Sequence, residues 1–161
     1  MILTIHASVA LKWFFRDRDD EADFDAALDI LRAVAEGRVK LVQPPHFMAE
    51  MTAVLAREAP ATAAASIEDL RALDFAGCDA DGLYPHAAEL AVQLKHHAFD
   101  TLYRAAALLT PGAMLVTADA TYFKKAKSLR RIELLSRTRR KAQPLVINSA
   151  SLSAWILQDR E

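Results

Sequence analysis

Four side chains able to do chemistry stand far apart in this chain: His6, Glu50, Asp100 and Asp119. His6 follows the apolar run Ile2-Leu3-Thr4-Ile5, and Asp119 comes just after Ala113-Met114-Leu115-Val116-Thr117. Both runs are short and contain β-branched residues, so they read as buried strands. Glu50 lies one turn into a helical pattern that follows a second strand, Val39-Lys40-Leu41-Val42, and its Pro44-Pro45 stop. Asp100 begins a helical pattern that runs through Leu109 to the Pro111-Gly112 break. Ligands of open parallel sheets bind beyond the carboxyl ends of the strands. Three carboxylates and an imidazole are therefore expected to converge at one sheet edge. Such a set suits a hard divalent cation such as Mg²⁺ or Mn²⁺.

The elements that must position these groups follow from periodicity. Phe24, Ala27, Leu28, Leu31 and Val34 recur at i, i+3, i+4 and i+7, which predicts an amphipathic helix over 19–36 that Gly37 ends. Further helices are expected from Ser8, over 47–58 and 61–75, over 87–96 behind Pro85, from Phe99 to Leu109, and over 120–129. Ile132-Glu133-Leu134-Leu135 reads as a fourth strand. Strands alternating with helices argue for the α/β class, with a mostly parallel central sheet flanked by helices. Beyond it, 145–147 reads as an edge strand and 149–157 as a closing helix with Trp155 packed inward.

Composition narrows the function classes. In 161 residues, 53% are hydrophobic and 25% charged, which excludes disorder over most of the chain. The 32 alanines favour helices over an all-β fold. Cys78, the one cysteine, allows neither an internal disulfide nor a thiolate zinc cluster, so a reducing cytoplasm is the expected compartment. The N-terminal stretch lacks a basic n-region, and Lys12, Asp100 and Arg104 interrupt the best apolar runs, so neither a signal peptide nor a membrane span is expected.

A formal net charge of −1 hides an asymmetry. Residues 124–141 carry nine basic side chains against Glu133 alone, while 1–123 carry ten basic and eighteen acidic ones. Lys124, Lys125, Lys127, Arg130 and Arg131 follow Asp119 closely enough to meet RNA phosphates, and plain solvation is the alternative. Asp17, Asp19, Asp20, Glu21, Asp23 and Asp25 do not make a calcium loop, because Ala22 stands where an EF-hand needs glycine. His96-His97, being adjacent, reads as a basic helix end rather than a ligand pair. The four glycines are too scattered for a P-loop, and no G-x-S-x-G elbow occurs.

Four blocks together resemble the PIN-domain family, specifically the VapC-type toxins of bacterial toxin–antitoxin pairs. They are His6-Ala7-Ser8-Val9-Ala10-Leu11-Lys12-Trp13-Phe14, Phe47-Met48-Ala49-Glu50-Met51-Thr52-Ala53-Val54-Leu55, Phe99-Asp100-Thr101-Leu102-Tyr103-Arg104-Ala105-Ala106-Ala107 and Leu115-Val116-Thr117-Ala118-Asp119. The resemblance spans residues 2–135 and implies a PIN-like domain over 1–135, with 136–161 as a C-terminal extension packed on or beside it. It implies a Mg²⁺- or Mn²⁺-dependent ribonuclease, restrained by a cognate antitoxin and usually homodimeric. Glu50, Asp100 and Asp119 would be its metal-site carboxylates, with Ser8 and Thr117 as supporting hydroxyls. Tyr103 reads as core or antitoxin-facing.

His6 departs from the family, which has aspartate at that position. Imidazole offers one nitrogen where Mg²⁺ prefers oxygen, and the exchange removes a negative charge. The expectation is a weakened or inactive nuclease. Two alternatives stay open: a catalytically dead PIN-fold protein that binds RNA or antitoxin, and a metal-dependent hydrolase of small phosphate esters.

Overall fold

Ile2–Ile5 (β1), Lys40–Gln43 (β2), Phe75–Gly77 (β3), Ala113–Thr117 (β4) and Ile132–Leu134 (β5) form one parallel sheet in the order β3-β2-β1-β4-β5. The computed structural model describes residues 1–16 and 21–141. Its helices are Ala7–Ala10 (α1), Glu21–Ala35 (α2), Phe47–Glu58 (α3), Ala63–Arg71 (α4), Leu83–Leu94 (α5), Ala98–Leu109 (α6), Ala120–Ala126 (α7) and Leu135–Lys141 (α8). Leu11–Trp13 and Lys127–Leu129 continue α1 and α7 as 3-10 turns. The expected α/β class with a parallel central sheet is the class found.

β1 sits at the centre, with Ile2 opposite Lys40 on one side and Ala113 on the other. Leu3, Ile5, Leu115 and Val116 are almost wholly buried, as befits strands covered on both faces. One core gathers these strands with Trp13, Ala27, Phe47, Met51, Leu55 and Tyr122. A smaller one lies between α5 and α6, around Leu83, Leu90, Leu102 and Ala106. α6 buries every residue from Thr101 to Ala107, and its alanines let the helix backbone lie close to its neighbours. Thr101 Oγ1 donates to Ala87 O at 2.7 Å and pins α6 to α5.

Three boundaries differ from the sequence reading. The helix expected over 61–75 stops at Arg71, and Phe75–Gly77 instead pairs with β2 as the edge strand. The Phe75 ring meets Phe47 edge-on at 5.5 Å, a contact that anchors the strand. The helix expected over 87–96 begins at Leu83, so Pro85 is its third residue. Leu135 is not the end of a strand but the fully buried first residue of α8, which packs on α2. Asp17, Asp19 and Asp20, the strand expected at 145–147 and the helix expected at 149–157 with Trp155 lie outside the described residues.

Candidate functional site

The parallel order brings the carboxyl ends of β1, β2 and β4 to one edge. α6 precedes β4 and runs antiparallel to it, so its first turn, with Asp100, reaches the same edge. His6 is the N-cap of α1; its backbone N–H donates to Val116 O at 2.9 Å, which fixes it beside β4. Its ring spans the site: Nε2 lies 2.9 Å from Asp100 Oδ1 and Nδ1 lies 2.9 Å from Ser8 Oγ. Asp100 holds the Nε2–H tautomer, so Nδ1 accepts from the Ser8 hydroxyl. Ser8 Oγ in turn accepts from Ala118 N–H at 3.2 Å, tying the β1 and β4 ends together.

The other oxygen of Asp100 is also occupied. His96 Nε2 stands 2.8 Å from Asp100 Oδ2, in contact though not aligned as a hydrogen bond. Lys95 closes α5 in the left-handed conformation (φ 49°), so His96 belongs to no helix and is free to turn onto Asp100. The reading of His96-His97 as a helix end is therefore corrected. Burial alone would push the Asp100 carboxyl up; the His6 hydrogen bond and the His6, His96 and His97 charges hold it below the usual carboxylate range.

Glu50 faces the same edge from α3. Its Oε2 accepts from the Tyr103 hydroxyl at 2.6 Å, and Tyr103 is otherwise core, fully buried. Burial and then the Glu50 carboxylate raise the Tyr103 phenol, so it stays a donor. His46 Nε2 lies 3.6 Å from the same Glu50 oxygen, too far for a hydrogen bond. Asp119 serves as the N-cap of α7, accepting from Thr121 N–H at 2.7 Å and Tyr122 N–H at 2.9 Å through Oδ1 alone. Its own N–H donates to the Thr117 hydroxyl at 3.1 Å.

Does this donor set fit a hard cation? Both Asp100 oxygens face imidazoles, one Glu50 oxygen is bonded to a phenol, and one Asp119 oxygen caps a helix. Among the described residues, no three His, Cys, Asp or Glu side chains gather as a metal cage. Where a fourth carboxylate would offer oxygen to a hard cation, His6 presents an N–H already given to Asp100. The residues present do not fit Mg²⁺ as they stand.

A PIN-domain family model matches residues 4–129. The chain belongs to the PIN-domain family. A solved structure similar to this PIN domain, VapBC2 from Rickettsia felis bound to a DNA fragment from their promoter, superposes with a TM-score of 0.61. Sequence identity is 15%, and the match covers 83% of this chain and 98% of that one, a likeness of fold. No curated protein matches the sequence. PIN domains are generally nucleases and generally use divalent metals. No helix among the described residues is long and apolar enough to cross a membrane.

The basic residues of this PIN domain divide between the two ends of the sheet. The Lys125 ammonium donates to Lys95 O at 2.9 Å and lies 3.3 Å from His96 Nδ1, next to the acidic site. Arg131 is elsewhere: its guanidinium donates to Ala107, Leu108, Thr110 and Ala113 carbonyls, at the amino end of β4. Arg130 and Lys127 belong to the same turn, away from the carboxylates. Lys124 and Lys125 occupy the last turn of α7.

Histidine 46 supplies a test of the site's electrostatics. Burial pulls its imidazole below the ordinary value of 6.5, outweighing the Glu50 carboxylate that raises it. The folded chain thus resists a proton that the unfolded chain accepts, and this contribution to stability is complete above pH 6.5 and declines as pH falls below it. One proton limits the slope to about 1.4 kcal/mol per pH unit. His46→Gln should flatten the pH dependence of thermal unfolding below pH 6.5. An identical profile in parent and variant would refute the assignment.

Proposed function

We propose that this chain is a PIN-fold ribonuclease of the VapC toxin type whose metal site is shut by His6. The observation that carries the reading is the His6–Asp100 hydrogen bond at 2.9 Å, which spans the junction between β1 and α6. Glu50 and Asp119 flank that junction from α3 and the end of β4. With aspartate at position 6, four carboxylates would face one edge, and Mg²⁺ or Mn²⁺ bound there would supply the Lewis acid for RNA phosphodiester cleavage. In that reading Glu50, Asp100 and Asp119 are ligands. Ser8 and Thr117 orient the strand ends, and Lys124 and Lys125 attract the phosphate backbone. Lys127, Arg130 and Arg131 contribute at longer range to the basic field that concentrates RNA.

An antitoxin is the proposed restraining partner, the cytoplasm the proposed compartment and a homodimer the proposed assembly. Residues 1–135 form the proposed catalytic unit, and 136–161 an extension to it.

The test compares the purified parent with His6→Asp on mixed RNA, with Mg²⁺, with Mn²⁺ and with chelator. Metal-dependent cleavage by the variant alone supports the reading. Cleavage by neither removes it and leaves the second reading: a catalytically dead PIN protein that binds RNA or antitoxin. That alternative draws its support from His96, which occupies the second Asp100 oxygen and would still do so after His6 is replaced.

A further inference from the structure

On either side of Asp100 the surface changes character. Towards α7 lies an open cleft of about 510 Å³ lined by Ala91, Lys95, His96, His97 and Lys125. Towards α3 stands the Phe99 ring, 65% exposed although it sits one residue from Asp100. Among the described residues its ring meets His46, at 5.4 Å and tilted, and most of its surface is open to solvent. Large apolar side chains exposed to this degree are few among the described residues.

The cleft is built to keep cationic groups together. Lys95 occupies a left-handed position, φ 49°, where glycine closes a helix with less strain. Backbone strain of this kind collects at functional sites. Across the cleft the Lys125 ammonium bridges Lys95 O and His96 Nδ1 at 2.9 and 3.3 Å, which fixes its charge over the opening. His96 is itself stacked on Tyr122 at 4.7 Å and lies 2.8 Å from Asp100 Oδ2, so it forms the wall between cleft and carboxylate. These cations offset the Asp100, Asp119 and Glu50 carboxylates that an approaching phosphate would meet.

We infer that the Lys95–Lys125 cleft and the Phe99 ring form a paired subsite for single-stranded RNA. The cleft takes a backbone phosphate on one side of Asp100, and the ring stacks a base on the other. The inference rests on the RNA reading above and adds the residues that recognise the strand. A cationic groove beside an open aromatic face is how single strands are held without sequence readout, because every base has a π-face. A duplex keeps its bases stacked and has none to offer Phe99.

The experiment measures binding, not cleavage. Fluorescence anisotropy of the full parent chain is followed in chelator with short labelled homopolymer RNAs, one for each base, across a salt series. Phe99→Ala should weaken binding about 10-fold or more with an unchanged salt slope, and Phe99→Trp should restore it. Lys95→Ala and Lys125→Ala should each reduce the slope of log K against log salt by about 0.7. The matching duplexes should bind more weakly than the single strands. All three positions are at the surface, and thermal unfolding checks that the variants remain folded.

Equal affinity of parent and Phe99→Ala overturns the pairing. An unchanged salt slope in both lysine variants overturns the phosphate cleft, and no binding to any RNA overturns both. If His6→Asp cleaves but these variants bind like the parent, the subsite falls and the nuclease stands. If His6→Asp is inert while this pattern holds, the reverse follows.

Discussion

His6→Asp should raise RNA cleavage by about 100-fold or more in Mn²⁺, a gain that chelator abolishes. The magnitude corresponds to the several kcal/mol of charge stabilisation a bound metal can give a phosphoryl transition state. Stability should respond as well, and this readout does not depend on turnover. The parent makes a hydrogen bond from His6 Nε2 to Asp100 Oδ1. The variant brings a second carboxylate towards the first, and like charges at that range repel. His6→Asp should therefore melt below the parent in chelator and recover when Mn²⁺ is added, while the parent stays indifferent to the metal. Glu50→Gln in the same background should remove the gain in cleavage. A parent stabilised by Mn²⁺ as much as the variant would mean that His6 does not close the site.

Arg104→Met should destabilise the fold by about 2–4 kcal/mol, because buried carbonyls lose hydrogen bonds from a charged donor, each worth about 1.5–3 kcal/mol. Arg104 is fully buried, and among the described residues no carboxylate pairs with it. Its guanidinium donates instead to the carbonyls of Leu129, Arg130 and Arg131, at 2.8 Å to the first and 2.6 Å to the last. Burial lowers its pKa to about 10, still high enough to keep the charge at neutral pH. Arg130 and Arg131 both have positive φ, 57° and 52°, so the turn into β5 is strained and needs an outside hold. Removing the guanidinium takes this donor from the Leu129 and Arg130 carbonyls and leaves Arg131 O with only the Leu115 N–H, at 3.0 Å. Thermal or denaturant unfolding would measure the loss. A change below about 1 kcal/mol would show that water replaces the side chain adequately.

Legibility in the sequence varied with the kind of constraint. α3 and β4 have the expected ends because Pro44-Pro45 and Pro111-Gly112 punctuate them and their apolar patterns are unambiguous. β3 was hidden: three residues ending in Gly77 carry no periodicity, and the strand exists because β2 offers it an edge. His96 was hidden for a different reason. The argument that adjacent residues point apart holds inside a helix, yet Lys95 breaks the helix without the glycine that announces such breaks. The i, i+4 spacing of His96 and Asp100 was the available clue. Arg104 was visible only as an interruption in an apolar run, and nothing local says which carbonyls it will meet. The convergence of His6, Glu50, Asp100 and Asp119 on one edge was a topological expectation. Their present partners, a serine hydroxyl, a phenol and two helix-start N–H groups, are properties of packing.

The central place of β1 bears on how the chain acquires its shape. β1 pairs with both β2 and β4, and the His6–Asp100 bond joins residues 94 apart. Pairings so distant in sequence impose a large loop-closure entropy before they return any contact, and they slow folding. During synthesis β1 must wait, unpaired on one side, until residues 113–117 have left the exit tunnel. The carboxylate edge is therefore among the last features to assemble, and a chain cut short before β4 would carry His6 and Asp100 without bringing them together.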